Sequence, residues 1–322
     1  MRKVLYQGLS LVLLGCLLVV GGRRISEIKC SEYRNRTIRY TSVIPLVLDP
    51  NPITFQSLKC TKSVDLIVGG EDAREKEFPH QALLGYRKNE TNTIEFRCGG
   101  TLISERYVLT AAHCSKGGKP VLVRFAELNL LDEYDNQVDL EIESFKNHHK
   151  YTAKDKYYDI ALIRLKEEVI FSDYIRPACL WTGFDINVTS FIATGFGYLA
   201  DSAGVISDTL RKVQLDLLDP EECNKEYRGI FIFRDGVVEN QLCVGSIREG
   251  RDTCTGDSGG PLQLVTASGE CIYHVVAVTS FGGECGAGRS PSVYTRVASF
   301  IDWIEEHVWG KTTNVSKLVR GR

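Results

Sequence analysis

Ser258 lies in the run Asp252-Thr253-Cys254-Thr255-Gly256-Asp257-Ser258-Gly259-Gly260-Pro261-Leu262, a short hydroxyl side chain set among glycines. Such a run lets the backbone N–H groups of Gly256 and Ser258 converge on one point while the Ser258 hydroxyl stays exposed. That is the geometry of an oxyanion hole beside a nucleophile. A serine hydroxyl attacks poorly near neutral pH, so Ser258 needs a base within hydrogen-bond reach and an acid that fixes the tautomer of that base. Without those two partners the run is only a glycine-rich turn.

Six histidines supply candidate bases. His113 is the most confined of them: in Leu109-Thr110-Ala111-Ala112-His113-Cys114 small alanines let the backbone pack closely and a cysteine can tie it down. His80, His148, His149, His274 and His307 read as surface or satisfied core residues. The adjacent His148 and His149 would point to opposite faces of a strand, which argues against shared metal coordination. Asp159 is the candidate acid. It heads the apolar run Ile160-Ala161-Leu162-Ile163-Arg164-Leu165, which would bury its carboxylate, and a buried carboxylate requires donors.

The elements that must position these residues are short. Apolar segments Gln81–Tyr86, Phe96–Ile103, Tyr107–Thr110, Val121–Phe125, Ile160–Leu165, Phe191–Thr194, Leu210–Leu217, Leu262–Val265 and Val275–Thr279 are separated by turn residues. That pattern predicts an all-β barrel or sandwich. Phe300–Trp309 predicts a closing helix, with Ile301, Ile304 and Val308 on one face and a capping box of Ser299 and Asp302. Gly195-Phe196-Gly197-Tyr198-Leu199-Ala200 fits a dinucleotide fingerprint, but no amphipathic helix follows it to hold a pyrophosphate.

Residues 1–22 carry Arg2 and Lys3, an apolar run from Leu9 to Val20 and small residues at its end. The run is too short to cross a bilayer and predicts a cleaved secretory signal, hence an extracellular protein with no membrane partner. Outside Cys16 the chain has ten cysteines, an even set suited to disulfides in an oxidising compartment. Asn35, Asn89, Asn187 and Asn314 begin glycosylation sequons. The net charge of -2 gives no electrostatic reason to expect nucleic acid as a partner. Residues 23–66 are too few and too weakly patterned for a domain, and Asp49-Pro50-Asn51-Pro52 breaks any regular element there.

Taken with Ile67-Val68-Gly69-Gly70, the three motifs Ala111-Ala112-His113-Cys114, Asp159-Ile160-Ala161-Leu162 and Gly256-Asp257-Ser258-Gly259-Gly260 resemble the trypsin and chymotrypsin family of serine proteases. The order His, Asp, Ser is that family's order. The resemblance runs from Ile67 to about Trp309 and implies two packed six-stranded antiparallel β-barrels with a C-terminal helix. It divides the chain into a signal at 1–22, a propeptide at 23–66, a protease domain at 67–309 and a tail at 310–322.

The resemblance also assigns roles. His113 is the general base, Asp159 orients it, Ser258 is the nucleophile, and the Gly256 and Ser258 amides form the oxyanion hole. Cleavage between Leu66 and Ile67 frees an ammonium that pairs with Asp257. Ser280-Phe281-Gly282 is the strand that pairs with the substrate backbone. Asp252 is an acidic floor of the specificity pocket that selects Arg or Lys, and Ser292 stands in the pocket wall where trypsin-like members carry glycine. Disulfides are implied between Cys98 and Cys114, Cys223 and Cys243, Cys254 and Cys285, and Cys60 and Cys179, leaving Cys30 and Cys271 unassigned. Glu127 and the acidic loop to Asp139 resemble a calcium loop, but Gln137 replaces a carboxylate, so no metal or other cofactor is expected.

The chain is similar to the catalytic part of arthropod clip-domain cascade proteases and lacks their six-cysteine module. This implies a secreted zymogen acting on protein substrates in an extracellular cascade of innate immunity, with serpin-type inhibitors as partners. Because Leu66 precedes the cut, the activator must be a different protease that accepts leucine. The alternatives are a silent homologue acting as a cascade adaptor, or a digestive trypsin.

Overall fold

The structure is a computed structural model that describes residues 23–45, 51–58, 70–88, 90–132, 136–197, 207–246, 257–265, 272–282 and 291–310. The chain begins with a helix α1 (Ile25–Thr37), followed by an antiparallel hairpin of β1 (Ile38–Val43) and β2 (Ile53–Leu58). Neither was expected from the sequence. In α1 most residues are polar, so no broad apolar stripe announces it, and its attachment is correspondingly polar. Arg24 reaches Asp302 and Glu305, Ser26 donates to Glu305, Thr182 donates to Glu27, and Tyr33 and Arg36 both donate to Glu105.

After a short β3 (Glu71–Asp72), six strands close a first barrel: β4 (Gln81–Arg87), β5 (Ile94–Leu102), β6 (Tyr107–Thr110), β7 (Leu122–Phe125), β8 (Val138–Asn147) and β9 (Ala161–Leu165). They pair in the order β4-β5-β6-β9-β8-β7, and β7 returns to β4, so the barrel has no free edge. Leu84, Leu102, Val108, Val123, Phe125 and Leu162 fill its interior. β8 alternates Leu140 and Ile142 with Asp139, Glu141 and Glu143, whose carboxylates meet Arg124, Lys166 and Arg164 on the outer face.

The second barrel uses β11 (Ser190–Gly195), β12 (Arg211–Leu217), β13 (Gln241–Gly245), β14 (Pro261–Val265), β15 (Tyr273–Phe281) and β16 (Ser292–Arg296), numbered after a short β10 (Cys179–Leu180). Its ring β11-β12-β13-β16-β15-β14 is antiparallel throughout, with β10 added in parallel to β15 and β3 paired to β12. Leu215, Leu242, Val244, Leu262, Val276 and Tyr294 form its core. The expected pair of six-stranded antiparallel barrels is the observed architecture.

A helix α2 (Pro220–Tyr227) leads into β13, capped by the Asp219 carboxylate. The closing helix α3 (Ile301–Val308) buries Ile301 and Ile304 as its period requires. The expected capping box is not made. Ser299 lies inside a tight turn (Val297–Phe300), so Phe300 occupies the cap position and makes no side-chain bond, and Asp302 pairs with Arg24 instead. A second correction concerns His148 and His149. β8 ends at Asn147, so strand alternation does not apply to them, and their rings lie together with centroids 4.3 Å apart.

Candidate active site

β6 delivers the chain into a single turn (Ala112–Ser115) that carries His113, and Cys114 in that turn is bonded to Cys98 of β5. Asp159 lies just ahead of β9 and is fully buried. Its carboxylate accepts three hydrogen bonds: from the His113 backbone N at 2.8 Å, from His113 Nδ1 at 2.7 Å and from Ser280 Oγ at 2.5 Å. Burial alone would raise this carboxyl, but the His113 charge and the bonds from His113 and Ser280 outweigh it and hold the group below the usual aspartate value. An ionised carboxylate only accepts, so the proton of the neutral ring sits on Nδ1. Nε2 is left with its lone pair.

Ser258 sits on the turn before β14, and its carbonyl accepts from the Gly99 amide of β5 at 2.8 Å. That bond joins the nucleophile turn of the second barrel to the first, so His113 and Ser258 lie on the two sides of one seam. The turn needs glycine at position 259, where φ is +79° and an added Cβ would stand 2.3 Å from Thr110 Oγ1. Asp257 points back toward the end of β11, where the Gly197 amide donates to its Oδ1 at 2.8 Å. A Cβ on Gly195 would fall 1.9 Å from Oδ1 of Asp257, so the Gly195-Phe196-Gly197 run is a cradle for this carboxylate. Gly256, Asp252, Leu66 and Ile67 lie outside the described residues.

A profile of the trypsin family matches residues 67–304, which takes in both barrels, the His113–Asp159 pair and Ser258. The chain belongs to the trypsin family. It is 40% identical over 289 residues to serine protease snk of Drosophila melanogaster, covering 88% of this chain and 65% of that protein. It is 38% identical over 252 residues to serine protease Hayan of the same species, covering 76% of this chain and 39% of that protein. With phenoloxidase-activating factor 1 of Holotrichia diomphalia it shares 35% over 263 residues, 76% of this chain and 70% of that protein. Against snk and Hayan the chain thus spans less than two thirds of the relative's length.

Around the trypsin-type pair, the end of β15 forms one wall of the seam. Ser280 is buried against Asp159, Phe281 is half-buried and Gly282 is exposed. Phe281 packs edge-on to Tyr227 with centroids 4.9 Å apart and stacks on Phe233, while the Lys156 ammonium stands 5.2 Å from its ring centre. Ser292 opens β16, pairs with Val244 and is buried. Two contacts escaped the sequence reading: Ser280 as a hydrogen-bond donor to Asp159, and Thr295 Oγ1, which donates to the Asp159 carbonyl at 2.9 Å. Nothing local to a serine or threonine in a strand announces such a bond across the seam.

Cys98–Cys114 and Cys223–Cys243 are joined, whereas Cys179 pairs with Cys30 and not with Cys60. The correction follows from α1: the helix lies on β10, which brings Cys30 within 5.2 Å Cα–Cα of Cys179. Cys60, Cys254, Cys271 and Cys285 lie outside the described residues. Among the described residues two groups of possible metal ligands, Cys30 with Cys179 and His274 and Cys98 with His113 and Cys114, each have both sulfurs in a disulfide, leaving a lone imidazole. At the resemblance to a calcium loop, Arg124 bonds both Glu127 and Asp139, and residues 133–135 of that loop lie outside the described residues. Asn35 and Asn187 are exposed, and Asn89 and Asn314 lie outside the described residues.

Proposed function

We propose that this trypsin-family protein is the secreted zymogen of a serine endopeptidase that cuts after Arg or Lys in an extracellular cascade. The observation that carries the reading is the buried Asp159 bonded to His113 Nδ1, directly across the seam from the Ser258 turn. In this reading His113 Nε2 takes the Ser258 hydroxyl proton as Oγ attacks the scissile carbonyl. The Gly256 and Ser258 amides receive the oxyanion, and His113 then returns the proton to the leaving amine. Asp159 stabilises the imidazolium between those steps. Asp252 would pair with the substrate's guanidinium or ammonium.

Cleavage between Leu66 and Ile67 would let the Ile67 ammonium meet Asp257, whose Oδ1 is already oriented by Gly197. The names of the relatives, phenoloxidase-activating factor 1 among them, support a protein substrate and a place in a cascade. Exposed Asn35 and Asn187 suit a secreted glycoprotein. Titration of the cleaved protein with a serine-reactive phosphonate is expected to label one equivalent at Ser258, and absence of labelling would favour an adaptor. Incubating pure uncut chain at high concentration should yield no Ile67 terminus, because Leu66 is a poor fit for an Asp252 pocket. Spontaneous appearance of that terminus would refute the requirement for a separate activator.

A further inference from the structure

Lys156 is a half-buried cation beside the His113–Asp159 pair, and it takes part in no ion pair among the described residues. Lys212 is handled differently: with its side chain 1% exposed, it is bonded to Glu77 at 2.7 Å. Lys156 is held from its backbone instead. Its N–H donates to Ile232 and its carbonyl accepts from Gln241 Nε2, which pins it between the turn before β13 and β13 itself. The ammonium is left over the face of Phe281, 5.2 Å from the ring centre.

Asp159, whose charge acts on this ammonium, is already engaged by His113 and Ser280. Burial pushes the Lys156 ammonium below the usual lysine value, Asp159 opposes that shift, and the charge of Lys116 adds to it. Lys116 itself is exposed, and its Nζ donates to the Ala153 carbonyl at 3.1 Å. A chain that reaches His113 along Phe281 therefore passes a desolvated positive charge that has no counter-ion among the described residues. A carboxylate there would satisfy the ammonium at a site where water already competes poorly.

We propose that Lys156, held over Phe281 beside the His113–Asp159 pair, forms a subsite for an acidic side chain of the substrate, on a residue shortly before the scissile bond. This rests on the endopeptidase reading and narrows its substrate class to peptides in which Asp or Glu precedes the basic residue at the cut.

The test competes two peptides in one assay with the cleaved enzyme, identical except for Glu or Gln at the second, third or fourth residue before the cut. A ratio measured within one enzyme does not depend on how much of it is folded. Wild type is expected to favour Glu by about three- to tenfold in kcat/KM at one of these positions. Lys156→Arg should keep the preference and Lys156→Glu should invert it. A ratio near one at all three positions in wild type, or the wild-type ratio persisting in Lys156→Glu, overturns the subsite. If neither peptide is cut, the endopeptidase reading fails by itself. Binding of the same peptides to the cleaved Ser258→Ala protein then decides the subsite, supported by tighter binding of the Glu peptide and refuted by equal binding.

Discussion

Two buried carboxylates organise different regions of this molecule, Asp159 at the barrel seam and Glu305 on α3. Each collects donors from far along the chain. Asp159 accepts from His113 and Ser280, both within the barrels. Glu305 accepts from the Ser26 amide at 3.1 Å, from Ser26 Oγ at 2.6 Å and from the Arg24 guanidinium at 3.2 Å, all on the N-terminal segment. Burial forces a carboxylate to find donors, and what the donors belong to decides the outcome. At the seam the satisfied acid orients a reacting imidazole. On α3 it fastens a separate helix.

The largest expected effect is at the seam. Asp159→Asn should lower kcat by about 10⁴-fold, because an amide can no longer hold the Nδ1–H tautomer. Ser258→Ala should abolish hydrolysis while the melting temperature stays near wild type. Peptidase activity within tenfold of wild type in either protein would remove that residue from the mechanism.

Acid separates the two kinds of buried group. His80, fully buried between Phe78 and Tyr273 with its Nε2 against Gln263, has its pKa pushed down to about 4 by burial. The folded state therefore keeps this ring neutral while the unfolded chain protonates near pH 6.5, so its contribution is complete above pH 6.5. It is lost as pH falls toward 4, by roughly 3 kcal/mol in all. Asp159, held low, keeps its contribution until pH falls below the ordinary aspartate range. Denaturant melts between pH 7 and 4 should show the loss, and His80→Gln should flatten it. An unchanged slope in that variant would place the sensitivity elsewhere.

Glu305→Ala tests the other carboxylate. It strips the Ser26 hydroxyl of its partner and leaves the Arg24 guanidinium paired with Asp302, and because Arg24 is partly exposed the cost should be about 2 kcal/mol. Hydrogen exchange over Ile25–Thr37 is expected to accelerate, with peptide hydrolysis within about twofold of wild type. Unaltered exchange would show that Glu305 does not fasten the helix. The smallest effect is at Ser292. Ser292→Gly should raise kcat/KM on Arg peptides relative to Lys peptides by about tenfold, the low end of what a change of this size confers. Equal ratios in both enzymes would mean that Ser292 does not shape the pocket.

The seam was legible because its residues advertise themselves locally: Ala111-Ala112 before His113, an apolar run after Asp159, glycines after Ser258. The β8 strand is hard to see in the sequence because Val138, Leu140 and Ile142 alternate with acids, so no continuous apolar segment marks it. α1 was hidden for a physical reason. It binds through Arg24, Ser26, Glu27 and Tyr33, and polar contacts leave no period in the sequence. The wrong partner for Cys179 follows directly, since a cysteine's mate is set by where its helix lies. Gly195 and Gly197 carried a false nucleotide signal, whereas their reason is the Asp257 carboxylate, distant in sequence.

The bond between Cys30 and Cys179 has a consequence for a chain cut ahead of Ile67. α1 would then belong to a separate polypeptide, yet it could not diffuse away. Each undocking would be followed by rebinding at an effective concentration in the millimolar range or above, so a modest docking free energy keeps the helix in place. Among the described residues this bridge is the covalent link between the two pieces, and without such a link the same contacts would make an ordinary bimolecular complex that dilution could separate.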